Sequence, residues 1–226
     1  MIKRTSREHV LNILEENRNK WKILDIGCSV DAIEYANTTA DIQNLDNFYK
    51  SKNKEFVLIQ SKDLPFKDNQ FDFVYASHVI EHVEDVGYFI KELQRISKQG
   101  YIELPTMLED NIILSENNIK DHKWFFKFDD VNNILLAERK KQLIEPFITH
   151  GVLFGSLRKN FRSSLVLELF WENEIDYEFR NFTVPSKKTF FIQIIKKYLS
   201  YFIRTKKLIS SILLILLILL LINFLT

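Results

Sequence analysis

Residues 21–29 read W-K-I-L-D-I-G-C-S, residues 63–83 read D-L-P-F-K-D-N-Q-F-D-F-V-Y-A-S-H-V-I-E-H-V, and residues 100–105 read G-Y-I-E-L-P. A hydrophobic strand ends at an acid and a tight glycine turn, Asp25-Ile26-Gly27-Cys28. A second buried strand, Phe71 to Ala76, follows about one and a half βαβ units later. A third, Tyr101 to Leu104, completes the set. This rhythm predicts an α/β fold, an open, mostly parallel sheet of the Rossmann-like kind, with its ligand at the carboxyl ends of the strands. The spacing selects a cofactor class before any substrate is considered.

Working outward, 226 residues hold one α/β domain plus an appendage. With 31 basic against 30 acidic residues, the formal net charge of +1 argues against nucleic acid as the main partner. The single cysteine, Cys28, rules out an internal disulfide framework and fits a reducing compartment. Beside the glycine turn it is expected to pack as a small apolar side chain rather than act as a nucleophile. Residues 1–20 read as a leading helix with Ser6 as N-cap, because Val10, Leu11, Ile13 and Leu14 share one face. The interruptions at Asn12, Glu15 and Glu16 exclude a signal-peptide core.

The far end differs sharply. Leu208 to Leu225 carries no charge, and as a helix it would span roughly 27 Å, close to a hydrocarbon core of about 30 Å. A core helix of a small domain would keep a polar face, and this segment has none. Lys196, Lys197, Arg204, Lys206 and Lys207 precede it, which predicts a single-pass transmembrane helix with the domain before it on the cytoplasmic side. Thr189 to Ile203 is expected to lie in the interface as an aromatic, basic helix. The expected organisation is a domain over residues 1–184, a membrane-proximal segment over 185–207, and a membrane helix over 208–225.

Within the domain, Glu55 to Ile59 is a further strand, and residues 83–97 place Val86, Phe89, Ile90, Leu93 and Ile96 at helical spacing. Gly100 falls where a helix-ending C′ glycine is expected. Trp124–Phe128 and Ile134–Ala137 flank D-D-V-N-N and predict an antiparallel hairpin. A strand-like run from Leu165 to Phe179 is expected to extend the sheet at its edge.

Several of these pieces together resemble the class I S-adenosylmethionine-dependent methyltransferases, and within them the small bacterial type 11 subgroup. The resemblance rests on Leu24-Asp25-Ile26-Gly27-Cys28, Leu64-Pro65-Phe66 with Phe71-Asp72, and Ser77-His78-Val79-Ile80-Glu81-His82-Val83. Glu92-Leu93 with Arg95-Ile96, residues 100–105, and His122-Lys123-Trp124-Phe125 extend it, so that it covers roughly residues 21–140. It implies the class I methyltransferase fold, S-adenosyl-L-methionine as cofactor, and a cofactor site built from Asp25, Gly27, Cys28, Ser29, Asp41, Gln60, Ser61, Ser77 and His78.

The chemistry of these positions is consistent with that role. A glycine after the first strand lets backbone approach a methionine or ribose moiety. An acid ending the second strand accepts from vicinal ribose hydroxyls, with Asp41 the better fit to the short loop and Asp46 the second choice. Gln60 and Ser61 would meet the adenine edge. The chain departs from the family pattern at two places. Glutamine stands at Gln60 where an aspartate is usual, accepting without a charge, and the alternating glycines of the turn become Gly27, Ser29 and Asp31, which brings a negative charge towards the cofactor's carboxylate.

Residues 78–82 also spell H-x-x-E-H, the inverted zincin pattern. A zincin needs both histidines on one helix face, but His78 directly follows a buried strand, so the expectation is no metal. His82 and His122 are instead candidate general bases for a hydroxyl acceptor, with His122 closing over the same pocket. The expected activity is methyl transfer to an acceptor held at the bilayer, such as a lipid-linked saccharide, a lipid or a quinone. The alternative is a decayed methyltransferase fold serving as a membrane-bound binding or scaffold protein, favoured by Asp31 and Gln60.

Overall fold

The computed structural model describes residues 1–107, 122–140 and 162–180, with the single positions 109, 159 and 196. The apolar stretch 208–225 lies outside the described residues, as does the membrane-proximal segment 185–207 apart from Lys196. Among the described residues no helix is long and apolar enough to cross a membrane. Met1–Arg180 forms one compact unit.

Its centre is a parallel sheet. Strands β2 (Ile23–Ile26), β3 (Thr38–Asp41), β4 (Glu55–Leu58), β5 (Phe73–Ser77) and β6 (Gln99–Pro105) lie in the order β4-β3-β2-β5-β6, each parallel to its neighbours. The chain leaves β2 towards β4 and then returns to the other side of β2 as β5. Strand order therefore reverses between β2 and β5, and a crevice opens there at their carboxyl ends. Every residue of β2 is buried, as is every residue of β5 except the half-exposed Ser77.

Alternation along these strands divides the core in two. Leu24, Ile26, Val74, Ala76, Ile102 and Leu104 point to one face. There Ile90, Leu93 and Ile96 of helix α3 (Val86–Ile96) cover them, with Asp85 capping the helix through the Tyr88 amide. Ile23, Phe73, Tyr75 and Tyr101 point to the other face, under Val10 and Leu14 of helix α1 (Arg7–Asn17). Burying one such side chain contributes about 1.5–3 kcal/mol, so both helices are held by the sheet rather than by propensity. Ser6 caps α1 as expected, accepting from the His9 amide.

Three expectations are corrected. Residues 1–20 are not helical throughout: Ile2–Arg4 is a strand, β1, antiparallel to β9 (Val166–Glu172), which itself lies antiparallel to β6. The run 165–179 therefore inserts β9 inside the sheet rather than extending its edge. Its later part, β10 (Tyr177–Phe179), joins a separate sheet with the hairpin β7 (Trp124–Asp129) and β8 (Ile134–Arg139). Gly100 does not end α3, which stops at Ser97 in extended conformation. It sits inside β6, where a Cβ would lie 2.4 Å from the Val74 carbonyl oxygen and 2.7 Å from Trp171 Nε1. That glycine makes room for tryptophan, not for a turn.

Candidate functional site

The turn after β2 is built almost entirely from its own hydrogen bonds. No helix separates β2 from β3; residues 27–37 pass through two tight turns, with Gly27 at φ 70° and Ser29 at φ 44°. The amides of Gly27 and Asp31 donate to Ala40 and Cys28 carbonyls, Ala32 to the Tyr49 hydroxyl, and Ile33 to Asp25 at 2.8 Å. Ser29 donates to Asp41 at 2.9 Å. A pyrophosphate cradle needs several such amides directed at a ligand beside a helix N-terminus. This loop has neither, so a phosphate-bearing dinucleotide is a poor fit.

Asp41 is the last residue of β3. One carboxylate oxygen accepts from the Ser29 amide and the other from the Gln43 amide, both at 2.9 Å. A carboxylate offers about four acceptor sites, so each oxygen retains one for a ribose hydroxyl. The structure thus separates the two candidate acids: Asp46 lies on the first turn of the short helix α2 (Asp46–Lys50) and pairs with Lys50 at 2.6 Å. Beside Asp41, Ile42 is 77% exposed, and Val30 in the turn is 45% exposed. Two of the few large exposed apolar side chains in the described residues are therefore sequence neighbours of Ser29 and Asp41. In the sequence, Ile42 is marked only as an isoleucine directly after a strand-ending acid.

The remaining candidates divide by role. Asp25 is buried and holds the turn through Ile33; burial pushes its carboxyl up to about 7, against the opposing pull of that amide. Cys28 is buried and free, with its thiol pushed up by burial to about 11, which leaves it protonated and unreactive. Gln60 and Ser61 are exposed in the loop after β4, where Ser61 donates to the Asp63 carbonyl at 2.8 Å. Asp31 is exposed, because the sharp Cys28–Asp31 turn carries it outward. Gly27 answers a demand from within the protein. A Cβ there would meet Val79 Cγ2 at 2.3 Å, so the glycine admits the Val79 side chain.

Asp25 gives the first prediction. Its folded-state value lies above the ordinary 3.8, so the folded protein holds a proton that the unfolded chain has lost. The stability from that proton is complete below about pH 4 and is lost as pH rises through about 7. Asp25→Asn keeps an acceptor for the Ile33 amide and never ionises. Denaturant melts should show the variant's stability relative to the parent rising by on the order of 4 kcal/mol between pH 4 and pH 8, as a carboxyl raised from 3.8 to about 7 implies; equal differences at both pH values would refute the buried-proton account.

Past β5 the backbone turns sharply. His78 stands at φ 55°, and the 3₁₀ turn Ile80–His82 follows. His78 Nδ1 lies 3.1 Å from Glu81 Oε1, and its Nε2 lies 3.3 Å from Glu103 Oε1. Burial disfavours the charged ring, but the hydrogen bonds to Glu103 and Glu81 outweigh it and raise His78 to about 10. Tyr101 and Arg162 also bond Glu103, each at 2.7 Å. His78 is therefore clamped between two carboxylates. The structure brings His82 and His122 together, with ring centroids 4.7 Å apart and planes at 79°. Two bonds from the second sheet fix that meeting: the Lys123 amide donates to the Glu81 carbonyl at 2.7 Å, and Trp124 Nε1 to the Val83 carbonyl at 2.9 Å.

Comparison with known proteins adds an independent finding. Residues 9–102 match the family model described as a methyltransferase domain. Over 120 residues the chain is 30% identical to the uncharacterized protein MJ0638 of Methanocaldococcus jannaschii, covering 50% of this chain and 52% of that protein. It is 29% identical over 107 residues to the ubiquinone/menaquinone biosynthesis C-methyltransferase UbiE of Rickettsia typhi, covering 46% of this chain and 42% of that one. The chain thus spans about half or less of these relatives' lengths. Among solved structures, the PH0226 protein of Pyrococcus horikoshii aligns at TM-score 0.43 and 15% identity, over 75% of this chain and 93% of that one.

Proposed function

We propose that this chain, whose residues 9–102 form a methyltransferase domain of the class I, type 11 kind, transfers a methyl group from S-adenosyl-L-methionine to an acceptor held at a membrane. The observation that carries the cofactor assignment is the Asp41 carboxylate, set at a strand end with one acceptor site spare on each oxygen. Next to it, the turn spends its amides internally and grips no phosphate. That combination suits a nucleoside carrying an amino acid rather than a dinucleotide.

When bound, the cofactor supplies a methyl group already activated on a sulfonium, so the protein's task is alignment and exclusion of water. Asp41 would hold the ribose hydroxyls, the exposed Ile42 beside it would offer the base an apolar contact, and Gln60 and Ser61 would meet the base's edge. The His82–His122 pair is the candidate for drawing the proton from a hydroxyl acceptor. Calorimetric titration of the full chain with S-adenosylhomocysteine tests the assignment. Saturable binding in the micromolar range is expected. No heat at millimolar ligand would favour the alternative, a binding or scaffold protein on a decayed methyltransferase fold, for which Val79 over Gly27 and the uncharged Gln60 speak.

Location rests on the uncharged residues 208–225 and the cationic cluster before them. They support a single-pass anchor with the domain on the cytoplasmic side, and membrane lipid as a partner. Deleting 208–225 should release the protein from carbonate-washed membranes into the aqueous fraction, whereas retention on the membrane would refute the anchor. Incubating a lipid extract with the enzyme and methyl-labelled cofactor would identify the acceptor.

A further inference from the structure

We propose that Glu81, His82 and His122 form a binding site for a divalent first-row transition ion. One donor atom from each of the three lies within 4.8 Å of the others. Donors on a single ion stand about 3–3.5 Å apart at bond lengths near 2.1 Å, so rotations closing roughly an ångström bring the three together.

A second, independent observation comes from Glu81. The residue is fully buried, its Oε1 is held by His78, and its Oε2 has no hydrogen-bond partner. A buried carboxylate oxygen without a donor is rare in folded proteins and calls for an explanation, of which a bound ion is one. His78, in turn, fixes the orientation of the carboxylate in the way an outer partner steadies a metal ligand. The amide of Lys123 on the Glu81 carbonyl then sets the spacing between the Glu81-His82 turn and His122.

Two imidazoles with one carboxylate make a nitrogen-rich set. It suits Mn²⁺, Fe²⁺, Co²⁺ or Zn²⁺ and disfavours Mg²⁺ and Ca²⁺, which take oxygen ligands. Three protein ligands on one side leave the other coordination positions open to an outside oxygen. On the methyltransferase assignment above, that oxygen belongs to the methyl acceptor. With the ion bound, His82 and His122 would serve as its ligands, and the ion's lowering of the hydroxyl's pKa would take the place of proton removal by the free pair. This set differs from the zincin pattern in the sequence: His78 is an outer support, and the third ligand comes from 40 residues further on, in His122.

The test is titration of the full chain with Co²⁺, read by its visible absorption. One ion per chain is expected, with the band intensity of nitrogen–oxygen coordination, and competition by Zn²⁺ but not by Mg²⁺. His82→Ala and His122→Ala should each weaken Co²⁺ binding by about 100-fold while leaving the far-ultraviolet circular dichroism unchanged. Glu81→Gln should do the same, and the two histidine variants keep the proposal testable if it misfolds. Affinity unchanged from the parent in both histidine variants, or no saturable absorption in the parent, would overturn the site. Co²⁺ binding with no S-adenosylhomocysteine binding would leave the metal site standing and remove the methyltransferase assignment instead.

Discussion

Asp41→Ala is expected to weaken S-adenosylhomocysteine binding by at least about 100-fold, measured by calorimetry on the full chain. Hydrogen bonds to a charged group contribute about 1.5–3 kcal/mol each, and the carboxylate has room for two ribose hydroxyls. Losing both predicts about 3–6 kcal/mol, a factor of 10² to 10⁴. The alanine also releases the Ser29 and Gln43 amides, which Asp41 holds at 2.9 Å, so the turn loses an anchor as well. Asp41→Asn separates these effects. It retains one acceptor oxygen and should fall between parent and alanine in affinity while keeping nearly the parent's melting temperature. Unchanged affinity in both variants would show that the ribose lies elsewhere. Asp46→Ala serves as the contrast: its carboxylate makes an exposed pair with Lys50, worth about 0.3–0.5 kcal/mol, and the cofactor should not register its loss.

The parallel core was legible because its central strands, β2 and β5, are mostly apolar. β2 and β5 are buried on both faces, and a chain with that demand writes near-continuous hydrophobic runs. The single acid inside β2 was equally visible, and its burial explains its job: Asp25 anchors the loop that follows. The choice between Asp41 and Asp46 was open in the sequence because both acids fit a short connection. Only the register of β3 against β2 and β4 makes Asp41 the terminal residue.

What escaped the sequence was settled by long-range packing. β1 is three residues long and pairs across most of the chain, Ile2 with Trp171. No local pattern announces such a strand, and the helix signal from Val10 and Leu14 spread over it. Gly100 read as a helix stop because glycine commonly stands there; the actual demand comes from Trp171, brought in by β9. The same holds for the Glu81–His82–His122 cluster. The adjacent pair is visible as letters, but the partner is chosen by the fold of the second sheet, through Lys123 and Trp124.

At Gly27 the turn answers a packing demand from Val79 as well as a backbone demand. Gly27→Val should cost about 2–5 kcal/mol in unfolding free energy, seen as a fall in melting temperature. A side chain at φ 70° costs about 1–2 kcal/mol, and a branched residue forced against Val79, whose Cγ2 stands 2.3 Å from the Cβ position, adds about 1–3 kcal/mol of overpacking. Gly27→Ala should cost less, and the pair Gly27→Ala with Val79→Ala should recover the overpacking part but not the backbone part. Val79→Ala alone opens a small void over the turn and costs about 1 kcal/mol. A double-mutant cycle thus divides the glycine's role into two numbers. If the double variant is no more stable than Gly27→Ala alone, Val79 is not what the glycine accommodates, and the space above the turn belongs to the ligand. If it recovers, the turn is shaped first by its own protein, and the cofactor meets a surface that Val79 has already set.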